Sequence, residues 1–231
     1  MARANNTALK ALRGGLIVSC QAPSTSPLHH PEVIAAMAET AINQAAVGVR
    51  IDSPAHIRAV RVRIEAPIIG LWKRTMPGSA VYITPQFHHA AAVAEAGADI
   101  IAIDATSRLR YGSDTVSGLI RRIHEELQRP VMADVDTLEA AIAAAKAGAD
   151  MIGTTLAGYT DATRHLTPPD FTLLTNLVEQ LSLPILCEGG VTSPEMARRA
   201  INLGAYAVVV GTAITGIDRL VQRYVARLTG P

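Results

Sequence analysis

The chain has 231 residues, with 21 basic and 20 acidic side chains and a formal net charge of +1; 49% of its residues are hydrophobic and 3% aromatic. So balanced a charge and so few stacking platforms argue against a nucleic-acid partner. The length suits a single domain over residues 1–231, and no apolar stretch approaches the roughly 20 residues a membrane-spanning helix needs.

Residues 1–13 read as a flexible lead or a short N-terminal helix; the apolar run behind them is too short for a signal-peptide core. From there apolar runs alternate with alanine-rich amphipathic stretches. The runs are Gly15–Cys20, Ala46–Ile51, Ile68–Trp72, Ile100–Ala105, Val131–Val135, Met151–Thr155, Pro184–Cys187 and Ala207–Gly211. Most are continuously apolar, the pattern of parallel strands covered on both faces. Helices are predicted at His30–Asn43, Ser53–Ile64, Pro85–Ala96, Asp114–Leu127, Thr137–Ala147, Asp170–Leu181, Ser193–Leu203 and Thr215–Leu228. Ser53-Pro54 and Ser193-Pro194 read as N-caps followed by proline in the first turn, and Thr137 as a further cap.

An internal echo supports repetition. Ala96-Gly97-Ala98-Asp99, Ala147-Gly148-Ala149-Asp150 and Leu203-Gly204-Ala205-Tyr206 each run from a helix end through a glycine into a buried strand. Eight such alternations predict a (β/α)8 TIM barrel of the phosphate-binding type. An open doubly wound sheet is the weaker reading, because no GxGxxG follows the first strand.

Parallel barrels gather their chemistry at the C-terminal ends of the strands. The residues expected there are Gln21, Arg50, Lys73, Asp104, Asp134, Thr154-Thr155, Glu188 and Gly211-Thr212. One polar strand tip is more often structural than functional; so many on one face point to a site. Lys73 is a candidate base if burial and neighbouring cations such as Arg50 or Arg74 lower its pKa. Glu188 is a candidate acid, or else a salt-bridge partner of Arg50 or Lys73 at the mouth. Gly189, Gly190, Gly211 and Thr212 follow the last two strands, where barrels commonly cradle phosphate with backbone N–H groups. His29-His30 and His88-His89 read as helix-end or surface residues. Cys20 and Cys187 give neither a disulfide framework nor zinc spacing, and fit buried thiols of a cytoplasmic protein.

With these residues in view, the chain resembles the N-acylmannosamine-6-phosphate 2-epimerases of bacterial sialic-acid catabolism. The likeness lies in LIVSCQA (Leu16–Ala22), PIIGLWK with Arg74, VYITP (Val81–Pro85), IDAT (Ile103–Thr106), Ala133-Asp134, GTTLAGYT (Gly153–Thr160), CEGG (Cys187–Gly190) and VVGTAIT (Val209–Thr215). The resemblance implies a TIM barrel without metal or cofactor, forming a homodimer, that interconverts N-acetylmannosamine 6-phosphate and N-acetylglucosamine 6-phosphate. It implies that Lys73 transfers the C2 proton and that Glu188 assists ring opening and proton relay. It also implies that Gln21, Arg50, Asp134, Thr155 and Tyr159 contact the sugar, and that the glycines with Thr212 hold the phosphate. The family's usual arginine after the AIT block is replaced by Gly216, with Arg219 one helical turn on. Two alternatives stay open: a barrel whose Lys73 forms a Schiff base with a keto-sugar phosphate, and a non-catalytic sugar-phosphate-binding barrel.

Overall fold

The computed structural model describes residues 6–229 of the chain. Eight parallel strands close into a barrel in sequence order, β1 (Leu16–Cys20), β2 (Gly48–Asp52), β3 (Ile68–Leu71), β4 (Ile100–Asp104), β5 (Val131–Asp134), β6 (Met151–Gly153), β7 (Ile185–Glu188) and β8 (Ala207–Val210), with β8 pairing back on β1. The expected (β/α)8 architecture holds, and every predicted strand is found within two residues of its predicted ends.

The helices are α1 (Asn6–Ala11), α2 (Pro31–Asn43), α3 (Pro54–Arg63), α4 (Phe87–Glu95), α5 (Val116–Arg122), α6 (Leu138–Lys146), α7 (Phe171–Gln180), α8 (Pro194–Asn202), α9 (Thr212–Thr215) and α10 (Ile217–Thr229). Helix α1 answers the short-helix reading of the N-terminal segment; residues 1–5 lie outside the described part. A π-helical turn, Ile123–Leu127, continues α5. Ser193 and Thr137 cap as expected, accepting from the N–H groups of Met196 at 3.3 Å and Ala140 at 3.2 Å. Ser53 does not: its side chain makes no cap bond and its φ is +79°. The three repeat glycines, Gly97, Gly148 and Gly204, all take positive φ near +100°, as the echo required.

Strand side chains alternate between two apolar layers. Ile17, Ile69, Leu71, Ile100, Met132, Leu186 and Val209 fill the barrel interior, with Leu9 and Leu12 of α1 plugging its floor. Val18, Val49, Ile51, Ile101, Ala133 and Cys187 face the helices. This period-two alternation decides the site. Stepping on from Leu71, Met132 and Leu186 by two residues reaches Lys73, Asp134 and Glu188, and stepping between Val49 and Ile51 reaches Arg50. All four lie on the inward phase, at the C-terminal end.

One stretch departs from the plain barrel. β3 and β4 share only two register pairs, Ile69↔Ile100 and Gly70↔Ile101. Beyond them the strip Val81–Thr84 enters between the two strands. Arg74 N–H donates to Tyr82 O at 2.9 Å, Thr84 N–H to Trp72 O at 2.9 Å, and on the other side Asp104 N–H to Ile83 O at 2.9 Å. The strip was read in the sequence as a motif, not as part of the barrel wall.

Candidate active site

Arg50 lies at the centre of the mouth, 1% exposed and long enough to cross the barrel. Its guanidinium forks onto Asp134: Nη1 donates to Oδ1 at 3.0 Å and Nη2 to Oδ2 at 2.6 Å. Nη1 also donates to Thr155 Oγ1 at 3.3 Å and to Glu188 Oε2. Thr155 Oγ1 is 2.5 Å from Asp134 Oδ1 and 3.2 Å from Glu188 Oε2. Strands β2, β5 and β7 thus meet through one cation and two carboxylates, with Thr155, two residues past β6, between them. Forked guanidinium–carboxylate contacts are among the strongest and most directional hydrogen bonds in proteins.

Glu188 is held by its backbone as well. Thr154 Oγ1 donates to Glu188 O at 2.8 Å and accepts from Glu188 N–H at 3.0 Å. Burial raises the Glu188 pKa, and the Asp134 charge adds to that, against the opposing pull of Arg50. The salt-bridge reading of Glu188 is therefore met by Arg50.

Lys73 projects into the same mouth, where its ammonium donates to Gln21 Oε1, and Gln21 Nε2 donates to Ser19 Oγ at 2.9 Å. Lys73 is exposed to solvent over its length, yet neighbouring barrel atoms desolvate its amine. Desolvation first, then the Arg50 charge, lower its pKa, while Asp52, Glu188 and Asp134 act the other way. Arg74 plays no part in this: its guanidinium lies over the Trp72 ring, 5.3 Å from the centroid.

The glycine turns stand beside this cluster. Gly189 has φ +102° and Gly190 φ +71°. A Cβ on Gly190 would lie 2.4 Å from Pro168 O, so the loop after β6 is seated on the glycine turn. The half-exposed Tyr159 ring lies across Gly189, its Cε2 3.3 Å from where a Cβ would stand. Among the described residues the N–H groups of Gly189, Gly190, Gly211 and Thr212 donate to no backbone carbonyl. These unspent donors lie at the C-terminal ends of β7 and β8, on the same face of the barrel as Arg50 and Lys73. Gly216 has no room for a side chain: a Cβ would lie 2.7 Å from Thr212 Cα. Arg219 is exposed on α10.

Other strand tips and histidines fall differently. Asp104 is fully buried and spent on structure, accepting from Arg108 Nη2 at 2.6 Å and Thr106 Oγ1 at 2.7 Å. His30 caps α2, accepting from Glu32 N–H at 3.3 Å. His89, read as a helix-end or surface residue, lies in the first turn of α4 but is 4% exposed and stands edge-on to Trp72 with ring centroids 5.3 Å apart. The reason is helical phase: His89 shares the inward face of α4 with Ala90 and Val93. Among the described residues no group of three or more His, Cys, Asp or Glu side chains is arranged to hold a metal.

A sequence profile described as "Putative N-acetylmannosamine-6-phosphate epimerase" (NanE) matches residues 34–229. The chain belongs to this family. A relative of the same description with "2-epimerase" from Thermosynechococcus vestitus is 63% identical over 217 residues, covering 94% of each chain. One from Synechococcus elongatus is 60% identical over 222 residues, covering 95% of this chain and 96% of its own. The solved N-acetylmannosamine-6-phosphate 2-epimerase from Clostridium perfringens superposes with a TM-score of 0.91 at 36% identity, over 97% of this chain and 98% of that one. A thiamine phosphate pyrophosphorylase from Pyrococcus furiosus shares the fold alone, at 16% identity and a TM-score of 0.60, with 90% of each chain covered.

Proposed function

We propose that this NanE-family barrel interconverts N-acetylmannosamine 6-phosphate and N-acetylglucosamine 6-phosphate, with Lys73 as the base at C2. The reading is supported by one mouth that gathers Lys73 and Glu188, the amine shifted down and the carboxyl shifted up by burial, beside backbone amides after β7 and β8 that bond to no carbonyl among the described residues. The C2 proton becomes acidic when the sugar ring opens to the C1 aldehyde. Glu188 relays the proton that ring opening requires; its raised pKa suits it to carry one. Lys73 removes the C2 proton, and the electron pair moves into an enolate on the C1 oxygen. The same amine returns a proton to the other face after the open chain rotates.

Arg50 and Asp134, locked together, and Gln21, bonded to Lys73, are the polar contacts to the sugar and its acetamido group; Thr155 and Tyr159 border the same space. Gly189, Gly190, Gly211 and Thr212 take the phosphate. Proton NMR of N-acetylmannosamine 6-phosphate with the protein in heavy water tests the reading. Epimerisation with deuterium entering C2 is expected; unchanged substrate, or C2 wash-in that survives Lys73→Ala, defeats it.

The homodimer belongs to the same proposal. Helix α10 buries none of its residues, and Ile217, Val221, Tyr224, Val225 and Leu228 stand exposed on one face of it. Two clefts of about 420 and 480 Å³ flank the outer face of β1 and β8 where a last barrel helix would pack, lined by Leu16, Val18, Ile201, Val210, Met37 and Ile214 among others. A second copy of the chain supplies matching apolar surface for both. A cytoplasmic location completes the reading, since Cys20 and Cys187 are free, buried thiols.

A further inference from the structure

The strand ladder beside Lys73 ends in a way that the barrel geometry alone does not explain. Asp52 is the last residue of β2 and stands opposite Leu71. One residue on, Ser53 N–H donates to Leu71 O at 2.8 Å, and the chain then turns away into α3. A continuing β2 would present its next carbonyl to Lys73 N–H. That carbonyl, Ser53 O, is turned into α3, where it accepts from Ile57 N–H at 3.0 Å, and the side chain of Asp52 takes its place: Lys73 N–H donates to Asp52 Oδ1 at 2.9 Å.

The ordinary use of an aspartate just ahead of a helix is to cap it. Asp52 makes no such bond, and the α3 cap residue Ser53 makes none either. The carboxylate is aimed along the sheet edge at the lysine. On its other flank Lys73 is bridged antiparallel to Ile83, so its backbone is held from both sides at the point where β3 has ended.

We propose that Asp52 is the positioning residue for Lys73, fixing its backbone through the N–H bond and placing a negative charge beside its amine. This rests on the reading of Lys73 as the base. Asp52 does not reach the substrate; it acts through the lysine. The charges that face Lys73 are Arg50 and Asp52 from the end of β2, Asp134 from β5 and Glu188 from β7. Behind Asp52 stand His56 of α3, whose Nδ1 contacts Asp52 O at 3.0 Å, and His29, whose ring lies edge-on to His56 with centroids 4.6 Å apart; His30 lies nearby. Of these, the Asp52 charge is the strongest that holds the proton on Lys73.

Two substitutions separate the two roles. Asp52→Asn keeps an oxygen acceptor for Lys73 N–H but removes the charge. Asp52→Ala removes both. The sequence contains three lysines, Lys10, Lys73 and Lys146, so reductive ¹³C-methylation gives a spectrum in which Lys73 is assigned by its loss in Lys73→Arg. The expected result is that the Lys73 methyl signal titrates at lower pH in Asp52→Asn, with Lys10 and Lys146 unmoved. The acid limb of kcat/KM shifts the same way. Asp52→Ala loses kcat by roughly tenfold or more, with KM near that of the parent protein, because misplacing a base slows the proton step more than it weakens binding.

Superimposable Lys73 titrations in the parent and Asp52→Asn, or a parent-like kcat in folded Asp52→Ala, would overturn the assignment. The titration needs no turnover. A parent protein that fails to epimerise therefore counts against the proposed function alone, and a Lys73 titration indifferent to Asp52 counts against this inference alone.

Discussion

Arg50 and Asp134 face each other across the barrel mouth in a two-pronged pair, at 3.0 and 2.6 Å, with neither side chain open to more than a trace of solvent. The same guanidinium reaches Glu188. Removing it leaves two carboxylates in a small desolvated space with no cation between them. Breaking a buried pair from one side costs about 3–5 kcal/mol. Arg50→Ala is therefore expected to lower the melting temperature sharply as well as to abolish activity. Arg50→Lys restores charge but not the fork, and recovers more stability than activity. Calorimetry beside an NMR assay of both variants checks this; an Arg50→Ala protein as stable as the parent contradicts it.

Lys73→Ala should reduce turnover by about 10²–10⁴-fold, the usual contribution of a positioned base, with the melting temperature little changed because the side chain is exposed to the mouth. In the parent, kcat/KM should rise with pH as Lys73 loses its proton. That limb lies below the ordinary lysine range, because desolvation and Arg50 lower the pKa. A profile whose acid limb lies at or above pH 10.5 would contradict the assignment.

His89 supplies an acid-sensitive element on α4, against Trp72. Burial first, then the His88 and Arg74 charges, push its pKa from 6.5 down to about 4, and its Nδ1 has no hydrogen-bond partner among the described residues. The folded state thus binds fewer protons than the unfolded state between those values. Its contribution to stability is fully present above pH 6.5 and is lost as pH falls toward 4. Scaled from about 1.4 kcal/mol per pKa unit, the loss is on the order of 3 kcal/mol. Melting temperatures from pH 7 to pH 4 should fall less steeply in His89→Phe than in the parent; parallel curves would refute the role.

Cys20 and Cys187 should be inert in the native protein. Burial pushes both thiols up to about 12, so almost no thiolate exists at neutral pH. A thiol-disulfide reagent should label both only after denaturation. Rapid native labelling would mean that β1 or β7 opens readily.

Truncation after Gly216 removes α10 and its exposed face, including Tyr224 at 72% and Leu228 at 82% exposure. Light scattering should show a dimer for the full chain and a smaller species for the truncated one. A monomeric full chain would remove the homodimer from the proposal.

Most of the barrel was legible in the sequence because each unit repeats one physical instruction: a covered apolar strand, a capped amphipathic helix and a left-handed glycine before the next strand. Lys73, Arg50, Asp134 and Glu188 were legible by their place at strand ends, and the inward phase of each strand brings them together. Asp52 was not. It is the last residue of β2, just ahead of the Ser53-Pro54 helix start, and its use depends on the chain turning into α3 where a further strand carbonyl would have met Lys73 N–H. The strip Val81–Thr84 escaped for a similar reason: it bonds to residues from two strands, Trp72–Arg74 and Asp104, and no local pattern records such pairing. The helix-end reading of His89 holds, but its burial was hidden because two adjacent histidines look alike until the phase of α4 is known. The idle cap at Ser53 was equally hidden, since Ser-Pro signals a helix start whether or not the hydroxyl turns back.

Pro168 pressed against Gly190 has a bearing on how such barrels can be altered. The segment after β6 carries Tyr159 and Pro168, and the turn after β7 carries Gly189 and Gly190; Tyr159 against the first glycine and Pro168 against the second pack the two together. Anyone swapping specificity segments between homologous scaffolds should move the two as one cassette. Exchanged separately, a bulkier residue at either partner would wedge the turn open and misalign its amides before any sugar arrived.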